Sequence, residues 1–120
     1  MNADYYPQRR RISKAERRQV YEKYGGHCAY CGCELDIRDM QVDHIKSVYQ
    51  GGESVLENYN PACRMCNFYK STYSVEFLRQ RIASIPAKLK ERQFIYRMAV
   101  KYGLVVEQNK PVQFYFEKEI

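Results

Sequence analysis

The 120-residue sequence predicts an α+β fold: a small strand–loop–strand–helix core stapled by four cysteines, with flanking helices and a C-terminal β-hairpin. Three observations carry this. Two C-x-x-C pairs, Cys28/Cys31 and Cys63/Cys66, enclose a stretch with no sustained helical period, and helical patterns stand on both sides of it. The length suits one domain over 1–120, in three parts: a basic arm and N-terminal helix (1–24), the cysteine-framed core (25–73), and a helical extension with a hairpin (74–120).

The elements follow in order. Residues 1–11 form an arm ending in Arg9, Arg10 and Arg11. A helix is predicted from about Ile12 to Tyr24, because Ser13 and Glu16 make a capping box and Gly25-Gly26 ends the pattern. Met40 to Ile45 has strand composition, Gly51-Gly52 marks a loop, and Ser54 to Leu56 is predicted to return as the second strand. Asn60-Pro61 reads as a turn and Cys63 to about Lys70 as a short helix. Ser74 caps a further helix through Ile82, and Pro86 breaks it. In the helix predicted over Ala87 to Tyr102, Ile95, Met98, Ala99 and Tyr102 share the face expected to pack, while Lys90, Arg97 and Lys101 lie opposite. Gly103 stops it, and 104–107 with 112–116 suggest the hairpin around Asn109-Lys110. The twelve tyrosines read mainly as amphipathic core and interface fillers, and His27 as a surface residue.

Charge is unevenly spread. Residues 1–24 carry seven basic and three acidic groups, 25–73 four and six, and 74–120 nine and five. Two basic flanks around a mildly acidic centre suit a polyanion gripped from the sides and cations held in the middle. No apolar run is long enough to span a membrane, and the first twelve residues show no apolar stretch of a secretory leader, so the cytoplasm is the expected compartment.

Thiols in that compartment stay reduced, and the paired spacing reads as a structural zinc site of Cys28, Cys31, Cys63 and Cys66. Cys33 is an alternative to a member of the first pair; the x-x spacing shared with the second pair favours Cys28 and Cys31. Four thiolates leave no open coordination position, so this zinc holds the fold and does no chemistry. The thirty-one residues between the pairs exceed a simple zinc ribbon, so another unit is inserted.

That unit contains Val42-Asp43-His44-Ile45, Gly51-Gly52-Glu53, Glu57-Asn58-Tyr59 and Cys63-Arg64-Met65-Cys66-Asn67, running on to Lys70. Over residues 25–73 the chain resembles the HNH endonuclease family in its zinc-knuckle form, whose ββα-metal core sits between two C-x-x-C pairs. The steps of fourteen residues from His44 to Asn58 and nine from Asn58 to Asn67 also resemble the HNH domain of CRISPR effector nucleases. The resemblance implies a metal-dependent endonuclease hydrolysing phosphodiester bonds in DNA. It makes His44 the general base and Asn58 the residue that ties down the His44 loop. Asp43 and Asn67 become ligands of one catalytic divalent ion, Mg²⁺ or another such as Mn²⁺ or Ni²⁺. Asn67 stands where the family name has a histidine, which affects ion preference more than catalysis.

An imidazole suits the base role because it titrates near neutrality, and oxygen donors suit a hard cation. On a flat strand Asp43 and His44 point to opposite faces, so a bulge or strand end is expected to re-aim one. Arg9, Arg10, Arg11, Lys70, Lys90, Arg97 and Lys101 are the candidate phosphate contacts, with Lys70 either there or solvated. DNA is the expected partner, and a homodimer or a protein partner is a route to double-strand cleavage. The competing reading is a non-catalytic zinc-stabilised module from a mobile element, binding nucleic acid or protein and retaining the fold. It would need the cysteines and basic arms but not His44, Asp43 and Asn67.

Overall fold

A computed structural model describes residues 11–118; the predicted phosphate contacts Arg9 and Arg10 lie outside the described residues. The elements are α1 (Lys14–Glu22), β1 (Gln41–His44), β2 (Tyr59–Ala62), α2 (Arg64–Lys70), α3 (Val75–Ala83), α4 (Ile85–Arg92) and α5 (Phe94–Lys101). The backbone groups into two compact units. One runs to Val75 and takes in the segment from Phe114; the other is Glu76–Gln113. The expected core, residues 25–73, lies within the first. No helix among the described residues is long and apolar enough to cross a membrane.

In the first unit, α1 starts as its sequence dictates. The Ser13 hydroxyl accepts from the Glu16 amide at 3.1 Å, and the Glu16 carboxylate accepts from the Ser13 amide at 3.2 Å. Its inner face buries Val20 against Met40 and Tyr59, with Ile12, Tyr21, Leu35, Val42 and Leu56 packed around them. Each such aliphatic side chain contributes about 1.5–3 kcal/mol on burial, and so small a cluster needs a staple.

β1 and β2 pair antiparallel, with Asp43 opposite Asn60 and His44 opposite Tyr59. The second strand is therefore Tyr59–Ala62 and not the predicted 54–56, and Asn60-Pro61 lies within it instead of turning. A two-stranded sheet has only edges, so Pro61 costs no ladder bond, and its carbonyl accepts from the Ala29 amide at 2.8 Å. Residues 54–58 are consumed by the loop, closing in a 3-10 turn at Leu56–Asn58. Gly52 is obligatory in this loop, since a Cβ there would lie 1.8 Å from the Lys46 carbonyl oxygen.

The predicted C-terminal hairpin does not form: the described residues from Leu104 to Lys118 contain no strand. Phe114 is buried edge-on to Tyr30 at 5.4 Å instead. The amides of Tyr115 and Phe116 donate to the carbonyls of Tyr30 and Ala29 at 3.0 and 2.9 Å. The aromatic tail thus finds a better partner in the first cysteine turn than in a mate strand. His27, half-buried, packs edge-on to Tyr115.

In the second unit the helix predicted over 87–102 is two helices, broken at Gln93, whose backbone is extended. The Arg97 guanidinium donates to the carbonyls of Lys90 and Glu91 at 2.7 and 3.2 Å and so caps the end of α4. The face of α5 expected to pack is largely bare, with Ile95, Met98 and Tyr102 all exposed.

Candidate active site and zinc centre

The sequence places Cys28 and Cys31 on a tight turn that reverses at Gly32, where φ is +80° and the amide donates to the Cys28 carbonyl at 2.9 Å. Cys63 caps α2, its sulfur accepting from the Cys66 amide at 3.4 Å. These two turns bring the Sγ atoms of Cys28, Cys31, Cys63 and Cys66 within 4.8 Å of one another. Cys31 and Cys63 are 3.9 Å apart, close to the about 3.8 Å edge of a tetrahedron with Zn–S bonds of about 2.3 Å. The donor set fits a four-thiolate zinc site. Cys33 falls outside it: its thiol is exposed, and its carbonyl serves the turn by accepting from the Cys28 amide at 2.8 Å. The hydrogen bond from the Cys66 thiol holds Cys28 down to about 4, and the same bond raises Cys66. Crowded thiols of this kind are the environment a cation relieves.

β1 delivers Asp43 and His44 to opposite sides: the register runs unbroken, so no bulge re-aims either residue, and His44 is the last residue of the strand. Asp43, 4% exposed, faces the cysteine turns. Its Oδ2 accepts from the Tyr30 hydroxyl at 2.5 Å, and its Oδ1 from the Lys70 ammonium at 3.2 Å. Burial first, and the Asp43 carboxylate second, push the Tyr30 phenol upward, so Tyr30 keeps its proton and donates. Lys70 also donates to the His44 carbonyl at 2.9 Å. Its side chain is fully buried, which corrects the expectation that it meets phosphate or solvent. It sits at the end of α2, with a carboxylate and a carbonyl beneath it. Removing one partner of such a pair costs about 3–5 kcal/mol by stranding a buried charge.

His44, 3% exposed, lies on the other side of the strand. Its ring stands edge-on to Tyr59 at 5.0 Å, and its Nε2 is 3.1 Å from the Ser54 hydroxyl. The loop that carries Ser54 is pinned by Asn58. The Asn58 Nδ2 donates to the carbonyls of Lys46 and Glu53 at 2.9 and 2.8 Å, and its Oδ1 accepts from the Lys46 amide at 2.9 Å. A further bond joins the Ile45 amide to the Asn58 carbonyl at 2.8 Å. This geometry suits the orienting role expected of Asn58. Asn67 is half-buried on α2, three residues before Lys70 and so on the same helical face.

Sequence reasoning missed Tyr30 and Ser54. Tyr30 carried a signal, a phenol inside a cysteine turn where an apolar ring with a polar tip suits a buried partner; Ser54 carried none. Among the basic candidates, Arg11 and Lys101 are exposed. Lys90 pairs loosely with Glu107 at 3.5 Å, and Arg97 is spent on α4 carbonyls.

Residues 28–72 match the family described as HNH endonuclease. Among solved structures the chain is similar to the Type II-C Cas9 enzyme from Actinomyces naeslundii, with a TM-score of 0.52 and 27% identity. The match covers 62% of this chain and 8% of that one, so it concerns a small part of the larger enzyme. No curated protein sequence matches the chain. The segment 28–72, framed by the Cys28, Cys31, Cys63 and Cys66 cluster, thus matches the HNH endonuclease family over a little over a third of the chain.

Proposed function

We propose that the chain is a metal-dependent endonuclease that hydrolyses phosphodiester bonds in DNA, acting in the cytoplasm, where its thiols stay reduced for structural zinc. The observation that carries this is His44, held between Ser54 and Tyr59 at the end of the strand that also carries Asp43, whose carboxylate Tyr30 and Lys70 fix. Hydrolysis needs a water deprotonated as it attacks phosphorus, relief of charge on the phosphate, and stabilisation of the departing oxygen.

His44 takes the proton from water. Ser54 holds the Nε2 side of the ring, while Tyr59 and the Asn58-pinned loop hold the ring plane. Asp43 offers carboxylate oxygens and Asn67 an amide oxygen, donors that suit a hard cation; these would hold Mg²⁺, Mn²⁺ or Ni²⁺. That ion, when bound, supplies charge neutralisation at the phosphate. Exposed Arg11 and Lys101 attract the DNA backbone without reading sequence.

Incubation of zinc-loaded protein with supercoiled plasmid and with single-stranded DNA tests the reading. Nicks or breaks that require Mg²⁺, Mn²⁺ or Ni²⁺ are expected. Tight DNA binding with no cleavage under any of these ions would favour a binding module instead.

A further inference from the structure

Beyond fixing the Asp43 carboxylate, Lys70 has no part in the chemistry above, yet it is fully buried and its ammonium lies 3.2 Å from Asp43 Oδ1, on the helical face that also carries Asn67. We propose that Lys70 is a resident cation at Asp43 that excludes the divalent ion until a DNA phosphate arrives, so that ion and substrate are taken up together. The inference rests on the nuclease reading of Asp43 and Asn67.

Charge decides the matter. In the free protein the single negative charge of Asp43 is already matched by Lys70, and Tyr30 occupies the second carboxylate oxygen as a neutral donor. A divalent ion entering between Asp43 and Asn67 would leave two uncompensated positive charges in a site 4% open to water at Asp43, where little solvent screens them. A phosphodiester brings one negative charge and oxygen ligands at the same moment. Lys70 cannot swing away cheaply, because the His44 carbonyl holds it at 2.9 Å and no part of its side chain reaches solvent.

Mn²⁺ titrations followed by electron paramagnetic resonance test this on the full zinc-loaded chain. A His44→Ala background leaves added duplex uncut, and Asp43→Asn defines the binding that depends on Asp43. Without DNA, that Mn²⁺ affinity is expected to be at least tenfold weaker than with DNA. Lys70→Met should tighten the DNA-free affinity at least tenfold, whereas Lys70→Arg, which keeps the charge, should not. Tight DNA-free binding with Lys70 in place, or no gain in a folded Lys70→Met protein, would overturn the inference and leave the nuclease reading standing. If Lys70→Met does not fold, the comparison with and without DNA in the Lys70-bearing chain decides alone. Absence of any Asp43-dependent Mn²⁺ binding, even with DNA, would remove the ion and the nuclease reading with it.

Discussion

Asn58 offers the sharpest separation of scaffold from chemistry. Its carboxamide makes three hydrogen bonds, two to Lys46 and one to Glu53, across the loop that brings Ser54 to His44. Each bond is worth about 0.5–1.5 kcal/mol net, and in Asn58→Ala the exposed backbone groups regain water, so the loss should be near about 2 kcal/mol. With a urea slope of about 1.5 kcal/mol per molar, the midpoint of zinc-loaded protein should fall by about 1.3 M at unchanged slope. Cleavage should fall more than stability accounts for, because the folded fraction would still carry a loosened His44. Asn58→Asp should be worse than its shape suggests: it keeps the acceptor for the Lys46 amide but sets a carboxylate against two carbonyls. The reasoning is refuted if Asn58→Ala melts within about 0.3 M of wild type, or if Asn58→Asp is the milder change.

Three further outcomes are expected. Cys63→Ser should lose zinc and unfold the first unit at ordinary temperature, since structural zinc contributes about 10–16 kcal/mol in small zinc-finger peptides; unchanged zinc content by atomic absorption would count against the four-thiolate site. Gly52→Ala should be poorly folded by circular dichroism, because its Cβ would strike the Lys46 carbonyl at 1.8 Å, and a native melt would mean the loop is not as described. Neutralising Arg9, Arg10 and Arg11, or Lys90, Arg97 and Lys101, should weaken DNA binding and flatten its salt dependence by up to about 0.9 in log–log slope for each phosphate that is no longer neutralised. The second triple should act chiefly through Lys101, given how Lys90 and Arg97 are engaged.

What was readable in the sequence was whatever depends on spacing. The cysteine pairs, the Ser13–Glu16 box and the Asp43-His44, Asn58, Asn67 series have fixed separations, because each must meet a partner across a known element. The orienting role of Asn58 was implied by the family resemblance, and its three bonds suit it. The second strand was misplaced because Asn60-Pro61 is ordinary turn chemistry, and only the tertiary fact that β2 is an edge makes proline acceptable there. Lys70 read as a surface cation because lysine is rarely buried, and its burial follows from Asp43, twenty-seven residues away in sequence. The hairpin failed because Phe114 and Phe116 pack around Tyr30, a long-range contact that no local pattern announces. Helix periodicity found the apolar stripe of α5 correctly, but periodicity cannot say whether a neighbour exists to cover it.

The central claim is that His44 activates water while Asp43 and Asn67 bind the ion. Single-turnover cleavage of a defined DNA duplex across a Mg²⁺ series, comparing wild type with His44→Ala, Asp43→Ala and Asn67→Ala at matched zinc content, tests it most directly. Loss of the base should lower the saturating rate by about 10²–10⁴ without shifting the Mg²⁺ dependence, whereas loss of either ligand should be partly restored by more metal. A His44→Ala protein that cleaves at the wild-type rate, free of contaminating nuclease, would contradict the account.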